Sequence, residues 1–243
     1  MKWVGIVGVG LLSACLSGKA FYDQSTQLNI RNGLERYEQE LAERIANGEE
    51  WNLRLINRWH RLPDDFEVEL TKLSNGHIVD KRIAEDLNAM LAAARKENLY
   101  PVICSSYRSK ATQEYLYKKR VARARNEGYT DAKLEAAGWV AVPRSSEHEA
   151  GLALDIVSSG YQGLDRQQEN TKEQKWLMEN SYKYGFILRY PEDKKEITGI
   201  NYEPWHYRYV GKKAAREIYT LGICLEEYLE LFDETYTNER ITW

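Results

Sequence analysis

The stretch Ser146-Glu147-His148-Glu149-Ala150-Gly151-Leu152-Ala153-Leu154-Asp155 carries the reading of this chain. Pro143 opens an irregular polar segment that runs through Glu149, and Gly151 to Val157 then reads as a short apolar strand. Side chains alternate along a strand, so Asp155 shares a face with small Ala153 and opposes Leu152, Leu154 and Ile156. The expectation is an aspartate pointing away from the core, with room beside it for something to approach. A carboxylate in that setting needs a metal, an arginine or water.

Working outward, each neighbouring segment has its own period. Leu70 to Val79 contains Ser74-Asn75-Gly76, a hairpin turn signal. Asp80 is placed to cap a helix that buries Ile83, Leu87, Met90, Leu91 and Ala94. Pro101 to Cys104 reads as a buried strand, followed by helices from about Ser109 to Asn126 and from Thr130 to Val140. Thr171 caps a further helix ending at Gly185. Phe186–Arg189 and Pro204–Val210 are strands, the latter with Trp205, Tyr207 and Tyr209 on one face. Two helices close the chain, Lys212–Leu221 and Leu225–Leu231. Strands and helices mixed without strict alternation predict an α+β domain with a small, mostly antiparallel sheet and helices packed on it.

Before residue 51 the pattern changes. Met1-Lys2 is a positive start, Trp3 to Leu12 is apolar or glycine, and Leu12-Ser13-Ala14-Cys15 follows. An apolar run of about ten residues is half the roughly twenty that a membrane-spanning helix needs, so it reads as an export signal. Leu-Ser-Ala-Cys resembles the lipobox of bacterial lipoproteins, which implies cleavage before Cys15 and lipid on it; an ordinary signal peptide is the alternative. Ser17 to Asn32 reads as a tether. Leu34, Tyr37, Leu41 and Ile45 mark an amphipathic helix ended by Asn47-Gly48, and Trp51, Leu53 and Leu55 alternate as in an extended segment.

The 243 residues are 43% hydrophobic and 29% charged, with a net charge of −3, enough apolar surface for one core. Acidic residues outnumber basic ones, 37 to 34, so no nucleic-acid partner is expected. Seven Trp and seventeen Tyr suit a cleft for peptide or sugar as well as a core. Besides Cys15, only Cys104 and Cys224 remain, read as two unpaired buried thiols, with a disulfide between them as the alternative in an exported protein.

Two of the four histidines stand in segments that make chemical sense: His148, and His206 in Glu203-Pro204-Trp205-His206-Tyr207. Two imidazoles and one carboxylate, His148, Asp155 and His206, form a three-ligand zinc set with an open fourth position. Glu203, three residues before His206, is a carboxylate free to handle a proton. The residues alone leave other readings open: a locally bonded His148, an arginine-paired Asp155, a surface Glu203. His60 and His77 read as structural or solvated.

Four motifs occur in order: Ser105-Ser106-Tyr107-Arg108-Ser109; Ser146-x-His148-x-x-Gly151-x-Ala153-x-Asp155; Tyr184-Gly185-Phe186-Ile187-x-Arg189-Tyr190-Pro191; and Glu203-Pro204-Trp205-His206-Tyr207-Arg208-Tyr209-Val210-Gly211. Together they resemble the VanY-type D-alanyl-D-alanine carboxypeptidase family, which includes LD-carboxypeptidases of the LdcB type, over about residues 52–231. The resemblance implies a zinc DD-peptidase or hedgehog-like fold and one zinc ion on His148, Asp155 and His206. It implies Glu203 as catalytic base, Arg108 as substrate ligand and oxyanion stabiliser, and Gln113 and Ser146 as substrate contacts. Many relatives have glycine at the position of Arg144 and glutamine at that of Glu149, so a reshaped cleft rim is expected here.

The implied division is a signal at residues 1–15, a tether with a helix at 16–50, and a zinc carboxypeptidase domain at 51–243. The implied activity is release of the C-terminal D-alanine from peptidoglycan stem peptides outside the membrane, with a lipid on Cys15 as anchor and no obligate protein partner. The DD reaction is favoured, with LD-carboxypeptidase action on tetrapeptides as the alternative. A non-catalytic wall-binding module is a more distant reading, and a role in glycopeptide resistance is not separable from wall maturation.

Overall fold

The computed structural model describes residues 50–232 and, before them, Arg36, Gln39, Glu40, Glu43 and Arg44. Contacts divide the chain into two compact units, Leu55–Glu227 and a smaller one made of Met1–Arg54 and Tyr228–Trp243. In the smaller unit the five isolated positions are helical and exposed. Its apolar positions, the tether and Cys15 lie outside the described residues. Trp51–Leu53 is a single 3-10 turn closed by Leu53 N–H on the Glu50 carbonyl at 2.9 Å, not the extended segment that its alternation suggested.

The larger unit begins with a hairpin. Strands β1 (Leu70–Lys72) and β2 (Ile78–Asp80) pair antiparallel with Leu70 opposite Asp80. Gly76 at the turn has φ +89°, which a glycine adopts without steric cost. The Asp80 carboxylate then accepts from Arg82 N–H, capping a 3-10 turn that leads into helix α1 (Ala84–Lys96). Leu87, Met90, Leu91 and Ala94 bury one face of α1, as their spacing predicted.

A four-stranded antiparallel sheet follows, in the order β3-β4-β6-β5. Its strands are β3 (Pro101–Ser105), β4 (Ala153–Ser158), β5 (Phe186–Leu188) and β6 (His206–Tyr209). Between β3 and β4 lie α2 (Lys110–Asn126), capped by the Ser109 hydroxyl, and α3 (Ala132–Ala137), capped by Asp131. α4 (Lys172–Asn180), capped by Thr171, packs on β4. The short helix α5 (Lys195–Thr198) precedes β6, and α6 (Lys212–Leu221), which packs on β5, and α7 (Leu225–Glu230) are the last helices among the described residues.

Two expectations are corrected. β4 does not turn one face outward: all six residues are buried, with Ala153 and Asp155 as covered as Leu154 and Ile156. Central between β3 and β6, it has the Gln174 amide of α4 donating to the Ile156 carbonyl and the Tyr207 hydroxyl donating to Gln174 Oε1 at 2.9 Å. Asp155 therefore faces an internal cleft, not open solvent. Conversely, β3 is an edge strand buried only at alternate positions, so Cys104 is exposed. Cys224 is buried, and neither thiol is in a disulfide.

Candidate active site

The sheet register assembles the centre. Asp155 and His206 are direct cross-strand partners in the β4–β6 ladder, and Ser105 on β3 pairs with Asp155 from the other side after a register shift. His148 comes from the 3-10 turn Glu147–Ala150 that leads into β4. Gly151 ends that turn at φ +69°, and its carbonyl accepts from Asp80 N–H at 3.0 Å. Arg108 N–H donates to the His148 carbonyl at 3.1 Å, which fixes the loop after β3 against the same turn.

His148, Asp155 and His206 are buried, and one ligand atom from each lies within 4.8 Å of the others. The two rings meet edge to face with centroids 4.9 Å apart. His148 Nδ1 lies 2.8 Å from the Ser106 carbonyl oxygen, which only accepts, so Nδ1 carries the proton and Nε2 the lone pair. That Nε2 is buried without a hydrogen-bond partner and lies 3.4 Å from Asp155 Oδ1. An orphaned imidazole lone pair beside a carboxylate and a second imidazole fits a zinc ion. His206 Nδ1 lies 3.1 Å from Asp155 Oδ1 and 3.7 Å from Glu203 Oε2.

The charges around the centre are strongly perturbed. Burial, then the Arg108 guanidinium, pushes His148 down to about 4. Burial also works against a charged His206, but its contacts with the Asp155 and Glu147 carboxylates outweigh it and raise the group to about 9. Burial pushes Glu203 up to about 8, with the Asp155 charge adding to it against His206 and Arg108. For Asp155 burial is likewise outweighed, by His148 and Arg108, so it stays well below the usual carboxylate range.

Arg108 forms a short contact from Nη2 to Asp155 Oδ2 and donates from Nε to Ser105 Oγ at 2.9 Å. The arginine-paired reading of Asp155 and the metal-ligand reading therefore describe one cluster, in which Arg108 faces Oδ2 and the histidines face Oδ1.

These residues open onto one cleft of about 400 Å³. Arg108, Ser146, His148, Asp155, Glu203 and His206 line it. Tyr190 and Trp205 give it an aromatic wall, and the Tyr190 ring centroid is 4.7 Å from that of His206. α2 and the residues after α3 also line it, with Leu116, Lys119, Arg120, Arg123 and Trp139. The wall on α2 was missed, although 116, 119, 120 and 123 recur at helical spacing.

Three expected residues sit elsewhere. Gln113 is fully buried and does not line the cleft; its Nε2 donates to the Ala141 carbonyl at 2.7 Å and so ties α2 to the loop before Ser146. Arg144 and Glu149 are absent from the cleft lining, contrary to the expected rim; Arg144 N–H donates to Glu149 Oε1 at 2.7 Å. Arg144 has φ +70°, a conformation that favours glycine, which accounts for the glycine at this position in many relatives. His60 contacts the Asn57 side chain and His77 the Ser106 hydroxyl, and neither lines the cleft.

A family model described as "VanY: D-alanyl-D-alanine carboxypeptidase" matches residues 76–212, which include every residue of this centre. The chain belongs to this family of zinc carboxypeptidases. It is 47% identical over 190 residues, 77% of this chain and 69% of the relative, to a D-alanyl-D-alanine carboxypeptidase of Enterococcus faecalis. Among solved structures, a vancomycin-resistance D,D-pentapeptidase VanY in complex with Zn(II) is 48% identical with a TM-score of 0.67, covering 74% of this chain and 99% of that one. The LdcB LD-carboxypeptidase is 38% identical with a TM-score of 0.62, covering 72% of this chain and 84% of that one.

Proposed function

We propose that this protein removes the C-terminal D-alanine from peptidoglycan stem peptides, with His148 Nε2, Asp155 and His206 Nδ1 as zinc ligands and Glu203 as general base. The observation that carries the reading is Glu203, a buried carboxylate in the cleft and 3.7 Å from His206 Nδ1. A merely structural zinc site has no need of it. When bound, the metal supplies Lewis acidity and lowers the pKa of a water toward about 7.

The chain's own residues do the rest. Glu203 takes a proton from the attacking water and passes it to the departing amine. A carboxylate whose proton affinity is raised by burial suits both halves of that transfer. Arg108, held by Ser105 and by its backbone bond to His148, presents a guanidinium to the substrate's terminal carboxylate or to the developing oxyanion. Ser146 lines the cleft beside His148 and offers a polar contact to the peptide. Gln113 acts one step back, through the Ala141 carbonyl.

The DD reaction on pentapeptide stems is the leading form, supported by the E. faecalis relative and the D,D-pentapeptidase structure. The likeness to LdcB keeps tetrapeptide stems as the second form. Incubating the protein with each peptide and weighing the products separates them; no loss of D-alanine from either removes both. The protein works outside the membrane, anchored through lipid on Cys15 by a tether over residues 16–50. No helix among the described residues is long and apolar enough to cross a membrane.

A further inference from the structure

The residue between Ser146 and His148 is a glutamate whose side chain is entirely buried. Its Oε1 accepts from Arg189 Nε at 2.7 Å and from Arg208 Nη1 at 2.8 Å. Arg189 in turn makes a two-pronged contact with Glu226, through Nη1 to Oε2 at 2.8 Å and Nη2 to Oε1 at 2.7 Å. Two positive and two negative charges are thus balanced inside the protein, with Arg189, Arg208 and Glu147 fully buried and Glu226 nearly so. The second oxygen of Glu147 is not used by either arginine contact. It lies 3.4 Å from Nε2 of His206.

The two histidines therefore present different nitrogens to the centre. His148 has Nδ1 committed to the Ser106 carbonyl and offers Nε2. His206 has Nε2 facing Glu147 and offers Nδ1 to the side of Asp155 and Glu203. For His148 a backbone oxygen settles which nitrogen is free. For His206 the Glu147 carboxylate is the acceptor on the far side of the ring. Two buried arginines donate to its Oε1 and hold that carboxylate in place, so that its Oε2 is presented to the ring as an acceptor.

We propose that Glu147 is a positioning residue for the metal centre: its Oε2 holds the Nε2–H of His206, so that this imidazole turns Nδ1, and only Nδ1, to the zinc. The inference rests on the zinc reading above. An outer carboxylate on a ligating imidazole fixes the tautomer and ring orientation and raises ligand basicity; losing one typically costs about 10- to 100-fold in metal affinity. The turn Glu147–Ala150 thereby sets both histidines, His148 by supplying it and His206 through Glu147.

The obvious objection is that Glu147 only neutralises arginines. Glu226→Gln answers it, because it removes one negative charge from the same buried cluster without touching His206. Zinc affinity of wild type, Glu147→Gln and Glu226→Gln is measured by competition with a chromophoric chelator. Alongside it go the visible spectrum of the cobalt-substituted proteins and the melting temperature of the metal-free ones. Glu147→Gln is expected to bind zinc 10- to 100-fold more weakly with an altered cobalt spectrum, and Glu226→Gln to stay within threefold of wild type at a similar loss of melting temperature. If Glu147→Gln does not fold, Glu147→Asp replaces it: it keeps the charge near the arginines, draws the carboxylate back from His206, and is expected to lose at least tenfold. Zinc affinity within threefold of wild type in the Glu147 variant, or an equal loss in Glu226→Gln, overturns the proposal. A wild-type protein that binds no zinc would instead remove the zinc reading, and this inference with it.

Discussion

At the scale of single residues, the division of labour between Glu203 and the ligands is open to test. Glu203→Ala is expected to keep zinc and lose nearly all turnover, a fall of about 10³-fold or more, because the proton has no other carrier at that position. His206→Ala is expected to lose both metal and turnover. Metal content by elemental analysis beside a D-alanine release assay checks the pair, and full activity in the Glu203 variant would remove the proposed chemistry. Glu203 also makes a pH prediction for the metal-free protein. Its folded value of about 8 lies above the unfolded value near 4.5, so between those two the native state holds the extra proton. Its contribution to stability is complete below about 4.5 and is lost as pH rises through 8, on the order of 5 kcal/mol. Urea denaturation of metal-free wild type against Glu203→Gln over pH 5–8 should show the steeper fall in the wild type, the part shared by both proteins belonging to His206. Of this residue set the residues alone marked His148, Asp155, His206 and Glu203 as a plausible group with other readings open, and it was the family resemblance that implied their roles as ligands and base. Glu147 was not among them: nothing local to it says that Arg189, Arg208 and His206 converge on one side chain from segments 42, 61 and 59 residues away.

Elements were legible where their signal was local. The hairpin turn, the capping residues Asp80 and Thr171, and the bounds of helix α6 at Lys212–Leu221 fall as expected, and Ser109 is a cap as well. Burial of a strand was not local. β4 is covered on both faces because it lies between β3 and β6 under α4, while the equally apolar β3 lies at the sheet edge and exposes Val102 and Cys104. An apolar run cannot say how many neighbours it has. The turn between His148 and β4 yields a prediction at this scale. A Cβ on Gly151 would meet Asp80 N at 2.6 Å and Leu70 Cδ2 at 3.2 Å, at a backbone φ of +69°. Relief would require the turn and the β1–β2 hairpin to part, and His148 moves with the turn. Gly151→Ala is expected to cost about 2 kcal/mol or more in stability and to weaken zinc binding as well. A variant with unchanged urea midpoint and unchanged chelator competition would show that the turn tolerates the methyl group.

For the molecule as a whole, what the sequence could not place was the helical lining of the cleft. Strand register brings Asp155 and His206 together and the adjoining turns bring Arg108, His148 and Glu203, whereas Leu116, Lys119, Arg120 and Arg123 of α2 and Trp139 after α3 reach the same cleft from a separate helical part of the chain. Arg120 is spanned by Glu127 and Glu135, and Arg123 is paired to Glu127, so this wall carries both its basic groups and their counter-charges. All of these residues belong to the unit Leu55–Glu227. Neither the proposed chemistry nor the cleft calls on any described residue before 51. A chain starting at Trp51 is therefore expected to bind one zinc and to keep kcat/KM on a soluble stem peptide within about threefold of the longer form, a difference of less than 1 kcal/mol in transition-state binding. The longer form expressed in a bacterial cell should fractionate with membranes, and a Cys15→Ala variant should leave them with its kinetics intact. Loss of zinc or of kcat on truncation would instead assign residues before 51 to the catalytic unit, and membrane retention by Cys15→Ala would rule out the lipid as the anchor.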